Sequence, residues 1–193
     1  MTDDSAGDPP GLRETLAGDA NAWGMNGLSA SLVFASLLGI SKFSVVLYFR
    51  LSSKLAHGRR TGALSRLLRR FNSILNDCEI SEYATIGSGL HIPHPSGVVI
   101  GPASIGRRLT VMQNSTIGMR SRGADLFDPR NFPVLEDDVV IGPGACVLGS
   151  VTLGDGVQVG ANAVVLVDVP AHHLAIGNPA TIRQRSESFT PRD

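Results

Sequence analysis

The side chain with the clearest capacity for chemistry is His94, in the segment His94-Pro95-Ser96-Gly97. An imidazole exchanges its proton near neutral pH, so it can serve as a general base toward a hydroxyl group. His91 stands three residues earlier, but no further set of ligand residues accompanies the two histidines, and the spacing therefore does not favour a metal site. Proton transfer at His94 is one hypothesis, and a surface histidine without a chemical role is the alternative.

His94 lies in the one irregular step of a six-residue period. Aliphatic residues return at every sixth position along residues 80–118 and, after an interruption, along residues 135–165. The series consists of Ile80, Ile86, Ile92, Val99, Ile105, Val111 and Ile117, and then of Leu135, Ile141, Val147, Leu153, Val159 and Val165. A short fixed period indicates a solenoid, here a parallel β-helix in which three short strands form one triangular coil. We expect every member to point inward and the seven-residue step from Ile92 to Val99 to form the corner that carries His94.

Composition agrees with such a coil. The 193 residues suffice for one domain with a small appendage, and 22 glycines suit a fold with many tight corners. The apolar share is 42% and the aromatic share 5%, as expected for an interior of aliphatic side chains, while a net charge of zero gives no sign of a nucleic-acid partner. Cys78 and Cys146 have no disulfide or metal spacing, so we expect free thiols in a reducing cytoplasm.

Residues 12–76 are predicted to form an N-terminal helical domain, after an acidic segment, residues 1–11, that we expect to be disordered. Residues 28–49 are the most apolar stretch, but Lys42 divides it and no second span follows, so a buried helix is favoured over a transmembrane one. Residues 62–76 carry apolar residues at intervals of three and four, which predicts an amphipathic helix.

This helical domain is also basic. No acidic residue occurs between Asp19 and Asp77, whereas the interval contains Lys42, Arg50, Lys54, Arg59, Arg60, Arg66, Arg69 and Arg70. One interpretation is a solvated helical face beside an oligomer interface. The other is attraction to an anionic membrane surface or to a lipid-linked substrate, because clustered basic residues beside an apolar helix bind anionic headgroups.

The coil is predicted to occupy residues 77–170, with a loop inserted at 119–134 and a C-terminal extension at 171–193. The loop has no period and mixes arginines with aspartates, and a long irregular loop within a regular solenoid is typically functional or disordered. Its place after the repeats that follow His94 favours a functional role, namely closure over a site at the edge of the coil.

These segments together resemble a known family. The hexapeptide repeats, the segments IPHPSGVVIG and VMQNSTIG, and the ending IGNPATI are similar to the serine acetyltransferase branch of the left-handed β-helix acyltransferases, over about residues 77–183. The loop sequence STIGMRSRGAD and the short helical domain resemble the colanic-acid and exopolysaccharide O-acetyltransferases within that branch more closely. The left-handed sense of the coil is an implication of this resemblance.

The resemblance implies a homotrimer that uses acetyl-CoA as co-substrate and no metal. His94 stands at the position of the family's catalytic base, and Glu79 stands at the position of its acidic partner, which is usually Asp. Such a carboxylate fixes the imidazole tautomer and stabilises the imidazolium. The positions that match cofactor contacts are Gly118 or Met119, Pro143 and Ala161, with Arg183 and Arg185 near the nucleotide phosphates.

The chain departs from the family pattern where the acceptor binds. Pro93 replaces an Asp before the catalytic His, and Asn131 and Phe132 replace an Arg-His pair; Arg120 is a further candidate contact from the loop. Loss of buried polar partners weakens selection of an amino acid. We therefore expect O-acetylation of a small-molecule or lipid-linked sugar. The alternatives are serine O-acetylation for cysteine biosynthesis and a non-catalytic trimeric scaffold.

Overall fold

The computed structural model describes residues 11–56, 58, 61–120 and 128–184. The predicted disorder of residues 1–10, residues 121–127 of the inserted loop, and the expected role of Arg185 lie outside these ranges and stay predictions.

The N-terminal domain contains four helices: α1 (Leu12–Ala22), α2 (Ala30–Leu37), α3 (Ser44–Ala56) and α4 (Gly62–Asn76). Residues 28–49 therefore form two helices and not one, because the chain turns at Gly39, whose φ of +71° suits glycine. Helix α3 is buried as predicted, whereas α2 exposes Phe34. The prediction of one buried helix was therefore wrong for the first half of this stretch. In the described part of the chain, no helix has the length and apolarity needed to cross a membrane.

The remainder is a parallel β-helix with three faces, as the period predicts. The strands are β1 (Cys78–Ile80), β2 (Thr85–Ile86), β3 (Val98–Ile100), β4 (Ser104–Ile105), β5 (Thr110–Val111), β6 (Thr116–Gly118), β7 (Val134–Leu135), β8 (Val140–Ile141), β9 (Cys146–Leu148), β10 (Thr152–Leu153), β11 (Gln158–Val159), β12 (Val164–Val165), β13 (His173–Ile176) and β14 (Thr181–Gln184). Face A is β1-β3-β6-β9-β12, face B is β2-β4-β7-β10, and face C is β5-β8-β11-β13-β14.

The C-terminal boundary of the coil differs from the prediction. Strand β13 pairs in parallel with β11, so the coil continues past residue 170 to Ile176, where Ala175 is fully buried. Strand β14 then turns back and pairs antiparallel with β13. The C-terminal extension therefore completes face C, because its first strand still covers the apolar interior of the coil below.

The predicted inward position of Val99 was wrong. Val99 is 40% exposed and stands opposite Glu79 on the outside of face A, whereas its neighbour Ile100 is 1% exposed and stands opposite Ile80. Side chains alternate across a strand, so Val98 and Ile100 face inward together. The step from Ile92 leads to Ile100 and is eight residues long, one more than the predicted seven-residue step to Val99.

The register of β3 predicts which of two neighbouring substitutions destabilises the coil. Ile100→Ala should lower the free energy of unfolding by about 2–5 kcal/mol, because it leaves a cavity in the interior of the coil. Val99→Ala, the matched control one residue earlier, should change it by less than about 1 kcal/mol, since the side chain already contacts water. Urea unfolding of both variants measures the difference, and equal losses would contradict the register.

A buried ion pair joins the helical domain to the first coil. Asp19 of α1 accepts hydrogen bonds from Nε and Nη2 of Arg50, both at 2.9 Å, and from the backbone N–H groups of Gly89 and Leu90, at 2.8 and 2.9 Å. Arg50 of α3 also donates to the carbonyls of Ile86 and Gly87. The two side chains thus hold residues 86–90 of the coil against the helices.

Candidate active site

His94 occupies a corner between face C and face A. Its side chain is exposed and borders an open cavity of about 370 Å³. Pro93, Pro95 and Ser96 line one side of this cavity, and residues 39–42 together with Leu75 and Asn76 line the other. The catalytic histidine predicted from sequence is therefore accessible, and the helical domain supplies the opposite wall.

The backbone around His94 is held from two sides. Asp77 follows α4 in the left-handed conformation, with φ of 50°, and its carbonyl accepts a 2.8 Å hydrogen bond from the N–H of Gly97. The Asp77 carboxylate accepts a second hydrogen bond, from Ser96 Oγ. From the next coil, the N–H of Asn114 donates to the carbonyl of Ser96 at 2.9 Å. These bonds fix the corner and leave the imidazole facing the cavity.

Sequence reasoning missed Asp77 and the cavity residues of the helical domain. The position of Asp77 directly after a predicted helix could have indicated a left-handed cap, since Asp tolerates that conformation. Ile40, Lys42 and Leu75 had no comparable signal, because only the packing of α2 and α4 brings them to His94.

Glu79 has a different neighbourhood. It projects outward from face A, accepts a hydrogen bond from Ser73 Oγ at 3.4 Å, and borders a separate cavity of about 190 Å³ with Arg66, Arg69 and Arg70. Among the described residues, no hydrogen bond joins Glu79 to His94. The structure therefore does not bring the predicted acid and base into contact.

The predicted cofactor residues lie on two edges of the coil. Pro143 and Ala161 follow face-C strands, so they stand above His94 along the corner between faces C and A, which we name the His94 edge. The carbonyl of Pro143 accepts a 2.9 Å hydrogen bond from the N–H of Asn162, and Ala161 is exposed. The second group, Gly118 and Met119, lies on the corner between faces A and B, which we name the loop edge.

The loop edge carries its own cavity of about 200 Å³. It is bordered by Arg120, Asn131, Leu166 and residues 148–151. Beside Gly118 the surface is open, since a Cβ there would meet only the Thr116 methyl group at 3.8 Å. Met119 packs partly against the core. Arg120 gives this open cavity a positive charge that could attract an anionic ligand.

Two other predicted residues have different surroundings from those expected. Phe132 is only 4% exposed, and its ring fills the space that a side chain at Gly101 would need, 2.8 Å from the position of a Cβ. Its side chain is therefore part of the core, so the prediction of a substrate contact through that side chain was wrong. Arg183 is exposed on β14, opposite Leu174 of β13.

His91 and Cys78 are reactive residue types, but both are packed against other parts of the fold. The ring of His91 packs edge-on against Trp23, with centroids 5.2 Å apart, and burial lowers the pKa of His91. Burial, with a smaller effect from the charges of Asp77 and Glu79, raises the pKa of the Cys78 thiol to about 12, so it stays protonated and is a poor nucleophile. In the described ranges, no three metal-ligating side chains lie together.

Comparison with known proteins agrees with this architecture. Residues 132–166 match the bacterial transferase hexapeptide family (six repeats). Serine acetyltransferase of Helicobacter pylori strain 26695 is 40% identical over 136 residues, which cover 70% of this chain and 77% of the relative. Serine acetyltransferase of Bacillus subtilis strain 168 is 36% identical over 144 residues, covering 72% and 64%.

Solved structures give the same result. The soybean serine acetyltransferase apoenzyme superposes with a TM-score of 0.76 at 31% identity, covering 89% of this chain and 69% of the other. These matches confirm the left-handed parallel β-helix with a small helical domain. The narrower resemblance to exopolysaccharide enzymes is not supported, since these relatives are named serine acetyltransferases. The chain belongs to the serine acetyltransferase family of hexapeptide-repeat proteins.

Proposed function

We propose that the protein is an acetyl-CoA-dependent O-acetyltransferase whose acceptor is L-serine. The observation that carries the proposal is an accessible histidine, His94, at the corner of a coil that is 40% identical to a serine acetyltransferase. Serine replaces the sugar acceptor expected from sequence, because the relatives favour it.

The proposed chemistry is direct transfer. His94 removes the proton of the acceptor hydroxyl as its oxygen attacks the thioester carbon, which is worth roughly 10²–10⁴ in rate. When the carbon–sulfur bond breaks, the imidazolium returns that proton to the departing thiolate, and the products are an O-acetyl ester and free CoA. No acyl-enzyme is required, which agrees with the protonated Cys78.

Glu79 is proposed as the orienting acid. Its contact with Ser73 is long, at 3.4 Å, so a modest rotation of the side chain releases it. A carboxylate beside the imidazole stabilises the charged form that appears during transfer.

Acetyl-CoA is proposed to lie between two copies of the chain in a homotrimer. Within one chain the His94 edge and the loop edge are separated by the width of face A, about 10 Å for a three-residue strand. In a trimer, Pro143 and Ala161 of one chain would stand opposite Gly118 and Arg120 of the next, so that one ligand contacts both edges. The open groove on each edge supports this arrangement.

One observation keeps a sugar hydroxyl as the second candidate acceptor. Pro93 lines the His94 cavity and offers no polar side chain to the ammonium group of an amino acid. A sugar has no such charge to bind, so the loss of a carboxylate at this position would matter less.

Product analysis decides between the acceptors. We expect mass spectrometry, after incubation with acetyl-CoA and a panel containing L-serine and activated sugars, to show O-acetylserine as the main product. An acetylated sugar without O-acetylserine would overturn the serine assignment but retain the enzyme class. Absence of any product, together with no stabilisation of the protein by acetyl-CoA, would indicate the non-catalytic scaffold instead.

A further inference from the structure

We propose that the outer surface of α2 and α4 binds the surface of an anionic lipid bilayer. This surface, which we name the apolar face, consists of the exposed residues Phe34, Leu37, Leu38, Ile40, Leu64, Leu67, Phe71, Ile74 and Leu75. The proposal concerns where the protein works and does not depend on which acceptor it uses.

Helix α4 turns its apolar side outward. The residues that it buries against α3 are polar: Ser65 donates to the carbonyl of Ser52 at 2.8 Å, and Asn72 donates to the carbonyl of Val45 at 3.2 Å. Because this polar seam satisfies the contact with the neighbouring helix, the leucine and phenylalanine side chains of α4 are left at the surface. The exposed stripe is thus a consequence of how the helix packs.

The residues of α2 extend the same surface. Gly39, in the turn after α2, lies against Leu75 at the end of α4, where an added Cβ would come within 3.2 Å of the leucine Cδ1. Ile40 is 76% exposed and Ile74 is 67% exposed. Contiguous apolar surface of this kind on a soluble domain marks a site of association.

The basic residues beside the apolar face favour anionic lipid as its partner. Arg70 lies beside Leu67 and Ile74 on the helix surface, at spacings of three and four residues, and Arg66 lies one turn before it. Both are exposed, and neither forms an ion pair with another described residue; Arg69 pairs with Glu82 at 3.0 Å. An amphipathic helix whose apolar stripe is bordered by arginine has the composition of an interfacial helix on anionic lipid.

A second copy of the chain is a less suitable occupant. A two-fold contact through the apolar face would place Arg66 and Arg70 near their own counterparts, and Glu79, which borders one cavity with both, compensates their positive charge only in part. Anionic headgroups supply that compensation, at roughly 1 kcal/mol for each basic residue near the surface.

The test uses the full chain and vesicles of phosphatidylcholine alone or mixed equally with phosphatidylglycerol. We expect co-sedimentation with the mixed vesicles that weakens as salt screens the attraction. Arg66→Gln/Arg70→Gln should weaken binding roughly 30-fold, and Ile40→Ser/Ile74→Ser at least about tenfold. The matched controls, Arg13→Gln/Arg183→Gln and Val134→Ser/Val167→Ser, remove exposed charges and exposed apolar groups elsewhere and should bind like the parent.

Circular dichroism checks that each variant is folded, and light scattering measures its oligomeric mass. Failure of the parent chain to bind mixed vesicles at low salt would overturn the proposal, as would equal losses in test and control variants. If Ile40→Ser/Ile74→Ser lowers the oligomeric mass and the parent chain does not bind vesicles, the apolar face is an interface between copies and the lipid proposal is wrong. The acetyl-transfer assay is run on the parent chain without vesicles and does not depend on lipid binding, so the two proposals fail separately.

Discussion

Replacement of His94 by alanine should lower the rate of acetyl transfer by about 10²–10⁴, because the acceptor hydroxyl then loses its general base. His94 is exposed in its cavity, and the corner beneath it is held by backbone hydrogen bonds and by the Asp77–Ser96 contact. The substitution should therefore leave the fold intact. Initial rates with saturating L-serine and acetyl-CoA, followed by release of free thiol, measure the loss.

Two further measurements make this result specific. Acetyl-CoA should still raise the melting temperature of His94→Ala, because the proposed cofactor contacts at Gly118, Arg120, Pro143 and Ala161 remain. His173→Ala, which removes a half-buried histidine of β13, should retain full activity. A fully active His94→Ala variant would end the proposed mechanism.

Glu79→Gln provides a graded comparison. If Glu79 moves to His94 during the reaction, its replacement should cost less than that of His94, because the base itself remains. Its effect should fall on kcat more than on KM, since the carboxylate stabilises a charge that exists only as the proton moves. Unchanged kcat would show that Glu79 keeps its contact with Ser73 and has no role in catalysis.

The coil could be predicted from sequence because each repeat places one aliphatic residue in the interior. The error at Val99 has the same origin. Val98, Val99 and Ile100 are all aliphatic, so the period alone could not tell which of them faces inward at an irregular corner. The identity of the inward residue depended on how many residues the corner absorbs, which the hydrogen bonds to Asp77 and Asn114 determine.

The candidate site was predictable in part for a related reason. His94, Pro143 and Ala161 follow the repeat, so their alignment along one edge follows from the coil. The wall formed by Ile40 and Lys42 depends on the packing of separate helices, which no local pattern encodes. Phe132 was assigned to the substrate because Asn131 and Phe132 stand at the position of the family's Arg-His pair, but its ring fills the space beside Gly101.

The largest expected effect on stability is that of Asp19→Asn. The carboxylate of Asp19 is fully buried and receives four hydrogen bonds, two of them from Arg50, which is itself 7% exposed. Removal of one charge leaves the guanidinium buried without its partner, so the free energy of unfolding should fall by about 3–5 kcal/mol. Thermal or urea unfolding at a fixed protein concentration measures this loss, since oligomers unfold in a concentration-dependent manner.

Two further variants test why Asp19→Asn is unstable. One replaces an exposed aspartate by asparagine, and the other replaces both Asp19 and Arg50. Asp138→Asn removes an exposed carboxylate paired with Arg108 at a position whose φ of 59° suits asparagine, and it should unfold like the parent. Asp19→Asn/Arg50→Met should be more stable than Asp19→Asn, because no unpaired charge then remains in the interior. If the double variant loses more than the single one, the instability comes from the severed contacts with residues 86–90. The attachment of the helices to the coil, and not the burial of an unpaired charge, would then be the main contribution of this pair.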